Sequence, residues 1–304
     1  MSLYRSAVWF VKGLREYTKS GYESASKDFV PNDLEVQVPG NSGIGKATAL
    51  EIAKQGGTVH LVCRDQARAE DARSEIIRES GNQNIFLHIV DLSDPKQIWK
   101  FVEKFKQEHK LNVLINNAGC MINKRELTED GLEKNFTTDT LGVYILTTGL
   151  IPVLQKEHDP RVVRMLVQKL NTDDLQSERT PFDGTMVYAQ NKRQQVVLTE
   201  RWAQGHPAIH FSSMHPGWAD TPGVRQVMPR FHTRFRNRLR SKAQGTDTVL
   251  WLALSSAAAA QPNGRFFQDR KPVSTHLPLA RMSSSPAEEE KLIEILEQLA
   301  QTFK

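Results

Sequence analysis

A chain of 304 residues, 39% hydrophobic and 25% charged, suits one large soluble domain or at most two small ones, and no run of eighteen apolar residues marks a transmembrane helix. Two cysteines, Cys63 and Cys120, argue against a disulfide framework, offer no metal-ligand spacing and fit a reducing, cytoplasmic setting. The net charge of +5 becomes −2 once the seven Lys/Arg from Arg225 to Lys242, a stretch without an acid, are set aside. This basicity is one local patch: a solvated helix face, or a contact for an anionic partner such as a membrane surface. Aromatics are not interleaved there as a base-stacking surface requires, which argues against nucleic acid.

Residues 1–27 form a separate extension. Leu3, Val8, Trp9, Phe10, Val11, Leu14 and Tyr17 alternate with Arg5, Lys12, Arg15 and Lys19, the pattern of an amphipathic basic helix. It is too charged for a secretory signal. Packing on the domain, lying in a membrane interface and mitochondrial-type targeting all remain open. Residues 28–304 read as one domain.

From residue 43 onward the periodicity switches repeatedly between helix and strand. Helical spacing over Gly43–Gln55 stops at Gly56-Gly57, and Thr58–Cys63 is a short apolar run expected to be a buried strand. A charged helix follows over Asp65–Ser80, then a strand over Ile85–Val90. Ser93 is placed to cap a helix reaching His109. A third strand, Val113–Ile115, runs into Asn116-Asn117-Ala118-Gly119. A long helix is expected over Gly131–Leu154, another over Tyr188–Gln204, a strand over Ile209–Ser213 and, after a Pro/Ser-rich loop at 270–287, a final helix over Glu288–Thr302. Such alternation implies a parallel sheet with helices on both faces, which binds ligands beyond the carboxyl ends of its strands.

Several motifs sit at such ends. Gly40-Asn41-Ser42-Gly43-Ile44-Gly45 opens the first helix, where small residues and free amides suit a pyrophosphate. Tyr188 and Lys192 lie four apart on one helix face. The ammonium would lower the phenol pKa from its ordinary value near ~10. His215-Pro216-Gly217 follows a later strand, and His215 reads as a structural residue.

In this order and spacing the motifs resemble those of the short-chain dehydrogenase/reductase family, along nearly the whole chain. The resemblance implies a Rossmann-type doubly wound parallel sheet and hydride transfer between a nicotinamide and a carbonyl or alcohol substrate. It implies Tyr188 as the general acid/base, with Lys192 also binding the nicotinamide ribose. Asp91 and Leu92 would contact the adenine, Asn117, Ala118 and Gly119 would support the adenosine, and Pro216, Gly217 and Thr221 would lie beside the carboxamide. Arg64 follows the second family strand, where an arginine pairs with the 2′-phosphate of NADP; Asp65 sits one place late for the acid of NAD enzymes. NADP(H) is therefore expected over NAD(H). The apolar long helix would suit the helix-pairing homo-oligomer interface common in the family.

Three departures from the family pattern bear on function. Asp33–Pro39 replaces the buried strand that leads into the glycine turn, and Pro39 stands where the family has its first glycine, so the first strand reads as degraded or missing. Arg161–Leu170 holds no Ser or Thr, although the family places a substrate-binding serine there. Ser177, within the polar run Gln176–Thr180, is a poor substitute. The active-site asparagine corresponds to Asp139, whose carboxylate would offset the field of Lys192. Impaired catalysis, or a catalytically silent binding protein of this ancestry, follows as the expectation.

Overall fold

The structure, a computed structural model, describes residues 3–29, 43–165, 170–275 and 283–304. The expected first strand and Gly40, Asn41 and Ser42 lie outside these residues. At the N-terminus, α1 (Leu3–Lys12) runs through a π-helical turn (Gly13–Tyr17) to α2 (Lys19–Ala25). The extension is thus two helices, because Thr18 is extended and caps the second with its hydroxyl.

Next come α3 (Gly43–Lys54), β1 (Val59–Cys63), α4 (Gln66–Ser80), β2 (Ile85–Ile89), α5 (Pro95–Glu108) and β3 (Val113–Ile115). A short α6 (Lys134–Phe136) leads through a π-helical turn (Thr137–Leu141) into α7 (Gly142–Leu154). Then follow β4 (Arg161–Met165), α8 (Gly184–Gly205), β5 (His210–His215), α9 (Pro222–Val227), α10 (Pro229–Phe235), α11 (Lys242–Leu254), α12 (Ser256–Ala259), β6 (Arg265–Gln268), β7 (Lys271–Pro272) and α13 (Pro286–Thr302).

The sheet is parallel apart from β7, as the alternation of elements requires. Among the described residues it falls into two parts, a β1–β2 pair and a five-stranded sheet in the order β3-β4-β5-β6-β7. One face packs α3, α4 and α11 around Ile52, Leu61, Ile76, Leu252 and Phe267. The other packs α5, α7, α8 and α13 around Ile98, Phe136, Ile145, Phe211 and Leu296. Strand residues alternate between the two cores, the reason these strands read as nearly continuous apolar runs.

Several boundaries differ from expectation. Asp94, not Ser93, caps α5, accepting from the Gln97 amide at 3.0 Å; the Ser93 hydroxyl instead bonds Asp91. The long helix starts at Lys134 because Glu133 caps it, and α8 starts at Gly184 because Asp183 does the same. The span Lys134–Leu154 is long and apolar enough to cross a membrane by length and composition alone, but 83% of its apolar window is buried in this chain. The C-terminal α13 lies against α7, the Tyr144 hydroxyl donating to Glu297 at 2.6 Å, and the Trp99 indole of α5 bonds the Ala300 carbonyl at 2.9 Å. α13 thus covers part of the long helix.

The N-terminal extension docks on the segment after β5. Trp9, Phe10 and Tyr17 make ring contacts with Trp218, and the Trp218 amide donates to the Tyr17 carbonyl at 2.7 Å. The basic patch is only partly solvated. Arg234, Arg236 and Arg238 are exposed, but Arg240 is 1% exposed and paired with Asp269, while Phe231 and Phe235 turn inward onto Trp218. Buried, Arg240 needs that carboxylate and the carbonyls around it to offset its desolvation.

Candidate active site

The carboxyl ends of β1, β2, β3 and β5 converge with the start of α3. Gly43 begins that helix at φ +56°, and a Cβ there would stand 3.5 Å from Thr221 Cβ, so the glycine turn and the segment after β5 meet. Ile44 packs against Gly245, and Gly45 is buried. Arg64 is exposed at the end of β1, with no ion-pair partner among the described residues. Asp65 is committed elsewhere: it caps α4 by accepting the Arg68 amide at 3.0 Å. Asp91 closes its own turn, its Oδ1 taking both the amide and the hydroxyl of Ser93 at 2.8 Å.

A cavity of about 300 Å³ runs past Arg64, Asp91, Leu92 and the Asn117-Ala118-Gly119 turn, then inward between β1 and β3 toward Phe105 and Leu150. Tyr188, Lys192, Asp139 and the Pro216–Thr221 segment lie outside its lining. Gly119 bridges the two groups, since a Cβ added there would sit 3.1 Å from Lys192 Nζ and 3.4 Å from Asp139 Oδ1.

Tyr188 and Lys192 lie in the second and third turns of α8. Lys192 is 3% exposed, and its Nζ sits 5.3 Å from the centre of the Tyr188 ring. Burial pushes the Tyr188 pKa up; Lys192 opposes this, and Asp139 and Cys120 reinforce it.

Asp139 is fully buried in the π-helical turn ahead of α7, a local widening that frees backbone groups for other partners. Its Oδ1 accepts the Cys120 amide at 2.8 Å, while Oδ2 finds no partner among the described residues. Burial raises its pKa to about 6, against the pull of Lys192 and the Cys120 amide and with a push from Glu133. Its backbone carbonyl accepts from Gln195 Nε2, and Gln195 Oε1 faces Lys192 Nζ at 3.4 Å. Gln195 thus ties the lysine to the turn, a role the sequence reading missed. Its place three residues after Lys192, on the same helix face, was the available signal.

His215 is structural in its contacts. Its Nδ1 accepts the Gly217 amide at 2.8 Å, its ring lies 4.2 Å from that of Tyr17, and burial chiefly drives its pKa down to about 3. Gly217 has φ +76°, and a Cβ there would strike Arg240, whose guanidinium also bonds the Pro216 carbonyl at 3.3 Å. The region expected to lack a serine is described only to Met165 and again from Leu170. Ser177 is buried, at φ +49°, in a turn organised by Asp174.

Known proteins resemble this chain in sequence and fold. The family model for short chain dehydrogenases matches residues 36–230. Dehydrogenase/reductase SDR family member 12 of Homo sapiens is 87% identical, with all of both chains covered. That alignment runs over 317 positions, thirteen more than the 304 residues of this chain. Retinol dehydrogenase 12 of Mus musculus is 33% identical over 80% of this chain and 79% of its own. Among solved structures, a short chain dehydrogenase from Burkholderia cenocepacia in complex with NADP superposes with a TM-score of 0.61 at 21% identity, covering 77% of this chain and 95% of that one. The shared fold is the Rossmann-type parallel sheet.

Proposed function

The chain belongs to the short-chain dehydrogenase family, and from that membership we propose that it is an NADP(H)-linked carbonyl/alcohol oxidoreductase of low activity. Family membership brings a nicotinamide cofactor and a small-molecule substrate. The observation that carries the reading is the Tyr188–Lys192 pair, set beside Gly119 and Asp139 at the strand ends.

The cofactor, when bound, supplies or takes up the hydride. In the reducing direction Tyr188 donates its proton to the substrate oxygen as the carbonyl carbon is reduced, and Lys192 favours the phenolate left behind. Gly119 lets the Lys192 ammonium come close to the turn after β3. With cofactor bound, Asn117, Ala118, Asp91 and Leu92 would hold the adenosine end, and Pro216, Gly217 and Thr221 the nicotinamide end. Support for NADP(H) comes from Arg64, exposed and without an ion-pair partner among the described residues, and from Asp65, whose carboxylate is held by the α4 cap. The Burkholderia relative's complex with NADP accords with this.

Three features support low activity. Arg161–Leu170 supplies no hydroxyl, and loss of such a donor at the reacting oxygen costs on the order of 10²–10³ in rate. Asp139 adds a carboxylate beside Lys192. Asp33–Pro39 offers polar residues and a proline where the family has a buried strand leading into the glycine turn. Calorimetric titration should give weak NADPH binding and weaker NADH binding, with slow turnover on a carbonyl panel. Micromolar NADPH affinity with brisk turnover would overturn the impairment, and tighter NADH binding would overturn the cofactor preference. Complete absence of binding and turnover would favour a catalytically silent relative.

Asp139 gives a pH prediction. Its folded pKa of about 6 lies above the ordinary 3.8, so the folded state holds the proton more tightly. The stability this confers is full below about pH 4 and is lost as pH rises through about 6, a change of about 3 kcal/mol. Asp139→Asn should therefore flatten the stability profile between about pH 4 and 6 and raise stability at pH 7 relative to the parent. Unchanged denaturation midpoints across that window would refute the assignment.

A second reading, contact with an anionic membrane, is favoured by the extension. Trp9 and Phe10 are each 37% exposed and Val11 65%, with Lys12, Arg15, Arg234 and Arg236 nearby in sequence or fold. Co-sedimentation with anionic vesicles should be lost on Val11→Asp combined with Arg234→Glu and Arg236→Glu. Undiminished binding would dismiss the idea.

A further inference from the structure

Away from the strand ends, three histidines meet that the sequence keeps far apart. His60 lies within β1, His88 on the neighbouring β2, and His109 follows α5 as its C-terminal cap. One ring nitrogen from each falls within 4.8 Å of the other two. His60 Nδ1 and His88 Nε2 are 2.9 Å apart, and the His109 ring lies 4.6 Å from that of His60. A hydrogen-bonded pair would explain two of these residues but not the third, which adds no hydrogen bond to that pair among the described residues.

We propose that His60, His88 and His109 form a three-imidazole site for a zinc-class divalent transition ion, which clamps β1 and β2 to α5. Nitrogens bound at about 2.0–2.1 Å around a tetrahedral ion stand about 3.3 Å apart, so small ring rotations close the present spacing. The all-nitrogen donor set suits Zn²⁺, Co²⁺, Ni²⁺ or Cu²⁺ and not Mg²⁺ or Ca²⁺, which take oxygen. The proton shared by His60 and His88 moves to the outer nitrogen of its own ring, leaving both inner lone pairs for the ion without net proton release. His60 is 8% exposed while His88 and His109 are half-buried, so the ion enters from solvent and keeps a fourth position for water. Phe86, Phe101 and Phe105 wall the site with rings about the imidazoles. Glu108 lies 3.9 Å from His109 Nε2 and places a negative charge beside the cluster, which favours a cation there.

The position gives the ion a purpose. Among the described residues no strand pairing joins β1–β2 to the larger sheet; α3 and α4 pack on β1–β2 and α3 on α11, while on the other face α5 reaches the two strands through Phe101 and Phe105 and packs on α7. An ion held by β1, β2 and the end of α5 ties the smaller part to the helix that grips the larger.

The test uses the full chain, stripped with a chelator and titrated with ZnCl₂ by calorimetry and with CoCl₂ by visible absorption. We expect one Zn²⁺ per chain, a higher melting temperature on binding, no response to MgCl₂, and a cobalt spectrum of nitrogen ligation without a thiolate band. His109→Ala, at a half-buried helix end, and His88→Gln should each lower Zn²⁺ affinity by at least about 10–100-fold, with circular dichroism reporting the retained fold. Absence of saturable Zn²⁺ binding by the parent chain, equal affinity in folded His109→Ala, or a thiolate band from Cys63 or Cys120 would each overturn the proposal.

Discussion

Tyr188→Phe is expected to lower any carbonyl reductase activity by about 10²–10⁴-fold, the usual worth of a positioned acid/base. The fold should be little affected, because the hydroxyl makes no hydrogen bond among the described residues and the ring, with its Lys192 contact, remains. NADPH affinity should also stay close to that of the parent, whereas Lys192→Ala should reduce affinity and rate together. Burial, Asp139 and Cys120 all push the phenol upward against Lys192, so little phenolate exists at neutral pH. Alcohol oxidation should accordingly keep rising as the medium becomes alkaline. Steady-state rates for the two variants, beside NADPH titration, check this, and activity that survives Tyr188→Phe would assign the proton to another group.

The second large effect is structural. Arg240 forms two bonds with Asp269, at 2.6 and 2.9 Å, and also reaches the carbonyls of Glu16 at 2.6 Å, Thr18 at 3.3 Å and Pro216 at 3.3 Å. Its side chain is 1% exposed and that of Asp269 8%. Arg240→Met should destabilise the chain by about 3–5 kcal/mol, because it strands a buried carboxylate. Adding Asp269→Asn should recover part of that loss, since it removes the stranded charge at a φ of +48° that asparagine tolerates. Arg240→Met also releases two carbonyls of the N-terminal extension, those of Glu16 and Thr18, so limited proteolysis within residues 3–29 should quicken. Denaturant midpoints of the single and double variants provide the check; a loss below about 1 kcal/mol would mean water reaches Asp269.

The sequence disclosed most where local pattern decides structure. β3 matches its expected bounds, and α4 ends where Gly81, at φ +74°, ends it. Tyr188, Lys192 and Asp139 were all legible as motif positions. What eluded sequence reading depends on tertiary partners. Periodicity alone does not show the π-helical turn that carries Asp139. Arg240 stands in a charge run that looks solvated, and only Asp269, far along the chain, makes it a core residue. Asp183 lies five residues before the expected start of its helix, and β7, Lys271–Pro272, hides in a segment whose Pro and Ser content reads as loop. The histidine trio spans three elements with no ligand spacing in any of them.

The placement of α13 has a consequence for how the chain is made. Leu292, Leu296 and Ala300 belong to the same core as Ile98, Ile145 and Phe211, and the Trp99 indole is satisfied by the Ala300 carbonyl. Synthesis proceeds from the N-terminus, and domains begin to fold as they emerge. Here one of the two cores lacks a wall until the last helix has left the ribosome. The strands and α5–α8 can collapse earlier, but α7 must wait with apolar surface uncovered. Truncations into α13, Pro286–Thr302, should therefore yield aggregation during expression rather than a slightly less stable protein.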